Sequence, residues 1–285
     1  MTLKTRLLID YYVGGLAHFT LKPLVMALGW LLHRNHRLSD VKDVVIVKLM
    51  GGGSLVIAYP ALLAIKRLPQ VKSLRLVASP TTKPIAELLG IFDEIIVIRE
   101  AGLGAVLTDS AKALCRLWRC DTMVDLEIHS RLSTVFCLLT AARNRIGFYT
   151  QESFWRRGIS THLLFCQVHE GIYYFYDQIA QLFGAQVPPW SVCSNNLRTA
   201  IGLDAQSPSP PPLGRRIAIA PCCSELCRER MLQPQEWATV VAQRFAAAEA
   251  PVEIHLLGAP SDKARVEEVA ESLNGILPQT QISLF

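Results

Sequence analysis

Residues 43–69 read DVVIVKLMGGGSLVIAYPALLAIKRLP, and this stretch decides how the chain folds. Val44, Val45, Ile46 and Val47 are consecutive β-branched residues with no polar alternation, which describes a strand covered on both faces. Three glycines, Gly51 to Gly53, come next, and a helix follows from about Leu55 to Arg67, with Ser54 placed to cap it. Glycines let a backbone approach a ligand closely, and the N-terminus of the following helix favours an anion. No GK[ST] follows, so the loop is not a P-loop, and Val56 stands where the last glycine of GxGxxG would be. The loop is therefore either a ligand cradle or simply a tight turn between strand and helix.

Working outward, the same unit repeats. Strands are expected at 74–78, 94–98, 122–126 and 145–148, and helices at 83–89, 104–118, 130–142 and 171–183. Strands alternating with helices imply an α/β fold with a parallel sheet covered on both faces. Residues 187–214, VPPWSVCSNNLRTAIGLDAQSPSPPPLG, break that rhythm and read as a Pro-rich linker. The alternation restarts with strands at 217–220 and 252–257 and helices at 234–248 and 262–273. A first α/β domain is thus expected over residues 43–186 and a second over 215–285. Only about 70 residues follow the linker, fewer than a doubly wound domain uses, so the second domain reads as incomplete and the chain as truncated at its C-terminal end.

The composition excludes other classes. With 285 residues, 51% hydrophobic and 19% charged, the chain is too apolar to be disordered and long enough for two domains. The net charge is +5, and residues 1–42 hold six cations against Asp10 and Asp40, so four of the five charges lie there. A nearly neutral remainder argues against a nucleic-acid partner and for a local basic anchor. Within that anchor, residues 6–33 are apolar and aromatic but interrupted by Asp10, Lys22 and Pro23. The run after Pro23 is about half of the roughly 20 residues a spanning helix needs. An amphipathic helix is expected, either lying in a membrane interface or packed on the protein's own core. The eight cysteines lack paired spacing, and Cys222, Cys223 and Cys227 have no second Cys/His pair, so free thiols are expected and no metal site.

The wider pattern resembles the family 9 glycosyltransferases, the lipopolysaccharide heptosyltransferase group. VVIVKLMGGGSLVIAYPALLAIKRLP is similar to the family's opening, with a Lys ending the first strand and Pro60-Ala61-Leu62 in the helix. DTMVDLEIHSRLS (121–133), ARNRIGFY (142–149), HEGIYYFYDQIAQLFGA (169–185), IAIAPCCSELCRERMLQPQEWATVVAQ (217–243) and LLGAPSDKARVEEVA (256–270) follow in the family's order. The resemblance implies a GT-B architecture of two Rossmann-like domains facing across a cleft, the first for the acceptor and the second for a nucleotide-sugar donor. It implies an inverting, metal-independent transfer with no cofactor beyond the donor substrate. The implied acceptor is a lipid-linked or lipopolysaccharide glycan, and the implied location is the cytoplasmic face of the bacterial inner membrane.

One position departs from the family pattern. An acidic residue usually follows the last glycine of the loop as the base, and here that residue is Ser54. A serine hydroxyl needs a partner base to take a proton at neutral pH. Glu127, just beyond the strand at 122–126, is the substitute by topology, because ligands of open α/β sheets sit beyond the carboxyl ends of the strands. Glu127 as a salt-bridged strand-end residue is the alternative, and Asp125, within the strand, suits a structural role. Lys48, Gly52, Gly53 and Arg131 are the acceptor-side candidates. Arg228 and Arg230, with Ser224, are the candidates for the donor's diphosphate, since an Arg fork matches phosphate oxygens. His129 and His169 are weaker sugar-contact candidates. The competing reading is a catalytically inactive protein that binds a glycan or nucleotide on the same fold.

Overall fold

The computed structural model describes residues 3–166, 169–203, 215–223, 231–245, 252–277 and 281–284. The chain divides into two compact units, Met1–Ala205 and Gln206–Phe285.

The first unit is built on six parallel strands: β1 (Asp43–Lys48), β2 (Ser73–Ala78), β3 (Glu94–Val97), β4 (Thr122–Asp125), β5 (Asn144–Tyr149) and β6 (His162–Phe165). Their order across the sheet is β3-β2-β1-β4-β5-β6. This is the doubly wound order, in which the chain reverses direction between β1 and β4, and the crevice at that reversal is where such sheets bind ligands. The continuous apolar run of β1 now has its reason. Val44 and Ile46 face one core with Leu55, Leu62 and Ile179, while Val45 and Val47 face the other with Ala113, Leu117 and Met123. All four valines and isoleucines of β1 are essentially inaccessible, each contributing roughly 1.5–3 kcal/mol by burial.

Helices α3 (Gly52–Lys66), α4 (Lys83–Leu89), α5 (Leu103–Arg116), α6 (Arg131–Leu139) and α7 (Ile172–Leu182) cover the sheet as expected. Three features depart from the sequence reading. The cap of α3 is Gly51, at φ +75°, so Ser54 lies inside the first turn and is not the N-cap. Part of the expected linker is the helix α8 (Trp190–Ala200), entered directly after Pro189 and anchored by the fully buried Cys193. Strand β6 and a 3₁₀ segment, Gln151–Arg156, were not anticipated.

The largest departure is at the N-terminus. A helix α1 (Leu3–Ile9), a π-helical turn (Asp10–Gly14) and a helix α2 (Gly15–Leu32) run without a break through Pro23. The 29-residue run Lys4–Leu32 is long and apolar enough to cross a membrane by length and composition, yet only 6% of its most apolar window is buried. Only one narrow side of it, through Asp10, Gly14 and His18, meets the rest of the unit, and its exposed side is apolar rather than polar.

The second unit has three parallel strands in sequence order, β7 (Arg215–Ile219), β8 (Val252–Leu256) and β9 (Gln281–Leu284). Helices α9 (Pro234–Phe245) and α10 (Lys263–Ile276) bury Ala238, Val241, Val266, Val269 and Leu273 against Ile219, Ile254 and Leu256. Strands added in one direction by right-handed crossovers put both helices on one face. The alternating residues Arg216, Glu253 and His255 point the other way, Glu253 pairing with Arg216 at 2.8 Å. Cys115, Cys120, Cys137, Cys166, Cys193 and Cys222 are free thiols, and Cys227 lies outside the described residues.

Candidate functional site

The loops that leave β1 and β4 flank the switch point, and one side chain joins them. Glu127, two residues past β4 and 6% exposed, accepts the backbone N–H of Leu49 (2.7 Å) and of Met50 (2.8 Å) on Oε1. Its Oε2 accepts from Lys48 Nζ at 3.3 Å, and Lys48, the last residue of β1, is equally buried. A carboxylate that collects two backbone donors and a cation fixes the start of the glycine loop more firmly than neutral bonds would. The expected proximity of Glu127 to the Ser54 loop is thus present, and the same contacts give Glu127 the salt-bridged role that was its alternative. Of the four lone pairs on its oxygens, three are used and one on Oε2 is not.

The glycines divide their tasks. Gly51 supplies the left-handed turn that a side chain would strain. A Cβ on Gly52 would fall 2.3 Å from Ile85 Cδ1, so that position is small because α4 packs over it. A Cβ on Gly53 would meet nothing within 4 Å, which leaves its backbone open to a ligand at the start of α3. The hydroxyl of Ser54 meets that of the buried Tyr176 on α7; burial pushes the Tyr176 phenol up, and the bond to Ser54 opposes this. Thr82 Oγ1 donates to the Leu49 carbonyl at 3.1 Å and so ties the β2–α4 loop to the same turn.

Behind Glu127 lies a second buried ion pair that sequence reasoning did not assemble. Arg156, fully buried in the 3₁₀ segment, reaches Asp125 Oδ2 at 3.1 Å and also donates to the carbonyl oxygens of Phe148 and Glu127. Asp125 Oδ2 accepts from Ser133 Oγ (2.9 Å) and Thr134 Oγ1 (2.8 Å), and its Oδ1 from the Glu127 N–H (3.1 Å). Burial pushes the Asp125 carboxyl up, with Arg156 and the two hydroxyls opposing it. Asp125 is therefore a structural holder, and the network fixes the backbone on both sides of Glu127. The signal in the sequence was Gly147: a Cβ there would sit 3.0 Å from Arg156 Nη1.

Arg131 is turned away from the loop of α3. Its guanidinium stacks over the Tyr11 ring at 4.4 Å and donates to the Tyr11 carbonyl at 3.0 Å, within the N-terminal helix. His129 is exposed and lies 3.9 Å from Glu152, and His169 is exposed as well. Ser224, Arg228 and Arg230 lie outside the described residues. Among the described residues no three His, Cys, Asp or Glu side chains converge as metal ligands do.

No family model and no curated protein matches the sequence. Solved structures do match. A family 9 glycosyl transferase from Veillonella parvula is similar at 14% identity and TM-score 0.56, over 88% of this chain and 70% of that one. E. coli heptosyltransferase WaaC with ADP is similar at 13% identity and TM-score 0.57, over 85% of this chain and 74% of that one. E. coli ADP-heptose LPS heptosyltransferase II is similar at 14% identity and TM-score 0.50, over 85% of this chain and 72% of that one. At such identities the likeness is one of fold: the chain has the two-unit α/β fold of these glycosyltransferases.

Proposed function

We propose that this protein is a glycosyltransferase. It moves a heptose or related sugar from a nucleotide-sugar donor to a lipopolysaccharide or other envelope glycan, inverting the anomeric centre and using no metal. The observation that carries this reading is the meeting of Lys48, the glycine loop and Glu127 at the switch point, in a fold that solved glycosyltransferases share. One of those solved structures holds ADP, which supports a nucleotide-linked donor. In a direct displacement the acceptor oxygen attacks the anomeric carbon, the bond to the diphosphate breaks, and a base takes the hydroxyl proton. Glu127 Oε2, with its unused lone pair, is the proposed base. Ser54 and the open backbone at Gly53 would orient the acceptor, and Lys48 would hold Glu127 in place. Ser224, Arg228 and Arg230 are the proposed contacts of the departing diphosphate. The proposed location is the inner face of the bacterial inner membrane, where the exposed N-terminal helix would meet lipid.

The second reading, a binder without turnover, is favoured by one observation: three donors already occupy the Glu127 carboxylate. The two part in one experiment. Full-length protein is incubated with ADP- and UDP-activated sugars and with envelope glycan, and free nucleoside diphosphate is measured with and without the glycan. Acceptor-dependent release is expected. Saturable binding of either nucleotide-sugar with no release would leave the binder.

A further inference from the structure

The N-terminal helix is polar where it touches protein and apolar where it does not. Its inward seam runs at four-residue spacing through Asp10, Gly14 and His18, with Lys22 and Met26 continuing it against Gly158. Asp10 sits on the N-terminus of α6: Oδ1 accepts from Ser130 Oγ (2.7 Å) and the Leu132 N–H (2.9 Å), and Oδ2 from the Arg131 N–H (2.9 Å). Gly14 and Gly15 permit this approach, since a Cβ on Gly14 would lie 2.6 Å from Arg131 Cβ and one on Gly15 2.7 Å from Arg131 Nη1. His18, 5% exposed, packs edge-on against Trp155 at 4.7 Å. Beyond the helix, His36 contacts the Arg143 carbonyl at 2.7 Å, and Asp40 accepts two hydrogen bonds from the Arg143 guanidinium at 2.9 and 3.1 Å.

A helix held from Asp10 to Met26, with the chain after it held at His36 and Asp40, lies on the unit instead of leaving it. Its outward surface holds Tyr12, Leu16, Phe19 (81% exposed), Leu24, Trp30 (76%) and Leu31. This is the reverse of an ordinary surface helix, which turns its apolar stripe to the core. Both carboxylates of residues 1–42 are bound within the protein, Asp10 by α6 and Asp40 by Arg143; of the segment's six Lys and Arg, Arg6 pairs with Glu100, which leaves five with no ion pair among the described residues. An apolar face with aromatic residues and surplus cations matches a lipid surface bearing anionic headgroups.

We infer that the N-terminal helix is a membrane-seated bracket. Its apolar face lies in the headgroup region of an anionic bilayer, and the Asp10–Gly14–His18 seam fixes the β4–α6 end of the switch point at that surface. The segment that carries Glu127 runs into Ser130, where the seam takes hold, so a seated helix keeps that side of the switch point at the bilayer surface. The seating and the coupling stand independently of the glycosyl-transfer reading.

The test uses full-length protein and vesicles of phosphatidylcholine with about a quarter phosphatidylglycerol. Wild type should bind, and brominated lipid should quench the fraction of its fluorescence that Trp30→Phe removes. Phe19→Asp with Trp30→Asp should weaken partitioning by about tenfold or more with unchanged melting. Unchanged partitioning of that variant would overturn the seating. Gly14→Leu leaves the outward face intact and should bind vesicles as wild type does, yet its Arg131 and Leu132 amides should exchange faster with solvent. Wild-type protection of those amides in Gly14→Leu would overturn the coupling. Neither readout involves sugar transfer.

Discussion

Replacing Glu127 by Gln is the substitution whose outcome the structure constrains most tightly. The Gln carbonyl oxygen can still accept the N–H groups of Leu49 and Met50, now without the charge that strengthened those bonds. The Gln amino group would then face Lys48 Nζ, a donor against a donor, and Lys48 would remain buried without its counter-ion. Removing one partner of a buried pair costs about 3–5 kcal/mol, and the 3.3 Å separation with slight exposure of both groups places this pair at about 2–4. For a unit of this size that is roughly a 5–15 °C drop in melting temperature. If Glu127 is also the base, turnover measured well below the melting range should fall by about 10²–10⁴-fold.

The two losses separate in the pair Glu127→Gln with Lys48→Met. Taking away both charges removes the uncompensated cation, so most of the lost stability should return, while a missing base stays missing. Melting by calorimetry and acceptor-dependent release of nucleoside diphosphate are the two measurements. Recovery of turnover together with stability would show that Glu127 positions the loop and takes no proton. A single variant that melts and turns over as wild type does would refute the account of the loop itself.

Ser54→Ala should lower turnover by less than about tenfold, because its hydroxyl meets Tyr176 and caps nothing, and a loss as large as that of Glu127→Gln would make Ser54 the essential group. Gly147→Ala should destabilise the first unit by about 1–3 kcal/mol in urea unfolding by crowding Arg156, and a neutral effect would mean that the guanidinium can shift freely. Burial pushes His18 from its ordinary 6.5 down to about 4; the contact with the Arg131 carbonyl opposes this, and the charges of Arg131, Arg156 and Lys22 add to it. An unfolded or undocked His18 binds its proton first, so the seam should be at full strength above pH 6.5 and weaken as pH falls toward about 4. Amide exchange at Arg131 and Leu132 should follow that window, and His18→Phe should flatten it; an identical profile in the variant would assign the dependence elsewhere.

What could be read from the sequence was what local pattern encodes. Four consecutive β-branched residues described a strand between two layers, and β1 has a core on each face. The parallel sheet and the position of Glu127 beyond β4 followed from the rules of α/β folds, which put Glu127 near the glycine loop, whereas the order of the strands was not read. Contacts that join distant residues were not legible. Ser54 meets Tyr176, and Arg156 meets Asp125, through side chains whose spacing in the chain has no period. Helix α8 was hidden by Pro188 and Pro189, although Cys193 and Leu197, four apart, both pack on the core. Pro23 was read as an interruption because proline removes one helical N–H, but at an exposed turn a single lost bond does not outweigh the contacts made on either side.

The charges at the switch point bear on which ligand this unit can hold. Lys48 is matched by Glu127, and Arg156 by Asp125, each pair buried. Asp10 takes the Arg131 backbone N–H, while the Arg131 guanidinium is turned away from the switch point onto the Tyr11 carbonyl and ring. Among these buried and half-buried groups no cation is left facing the switch point for a diphosphate, which needs fixed positive charge or several N–H donors. What the edge offers instead is the open backbone at Gly53, the Ser54 and Tyr176 hydroxyls, and one lone pair on Glu127, a set suited to sugar hydroxyls. An acceptor here and a nucleotide elsewhere is the division that this charge balance supports. It can be checked by titrating the full chain with Arg228→Ala and Arg230→Ala replaced together: nucleotide-sugar binding should weaken by about tenfold or more, as expected for two lost charge-assisted contacts. Binding equal to wild type would return the donor to the first unit and contradict the division.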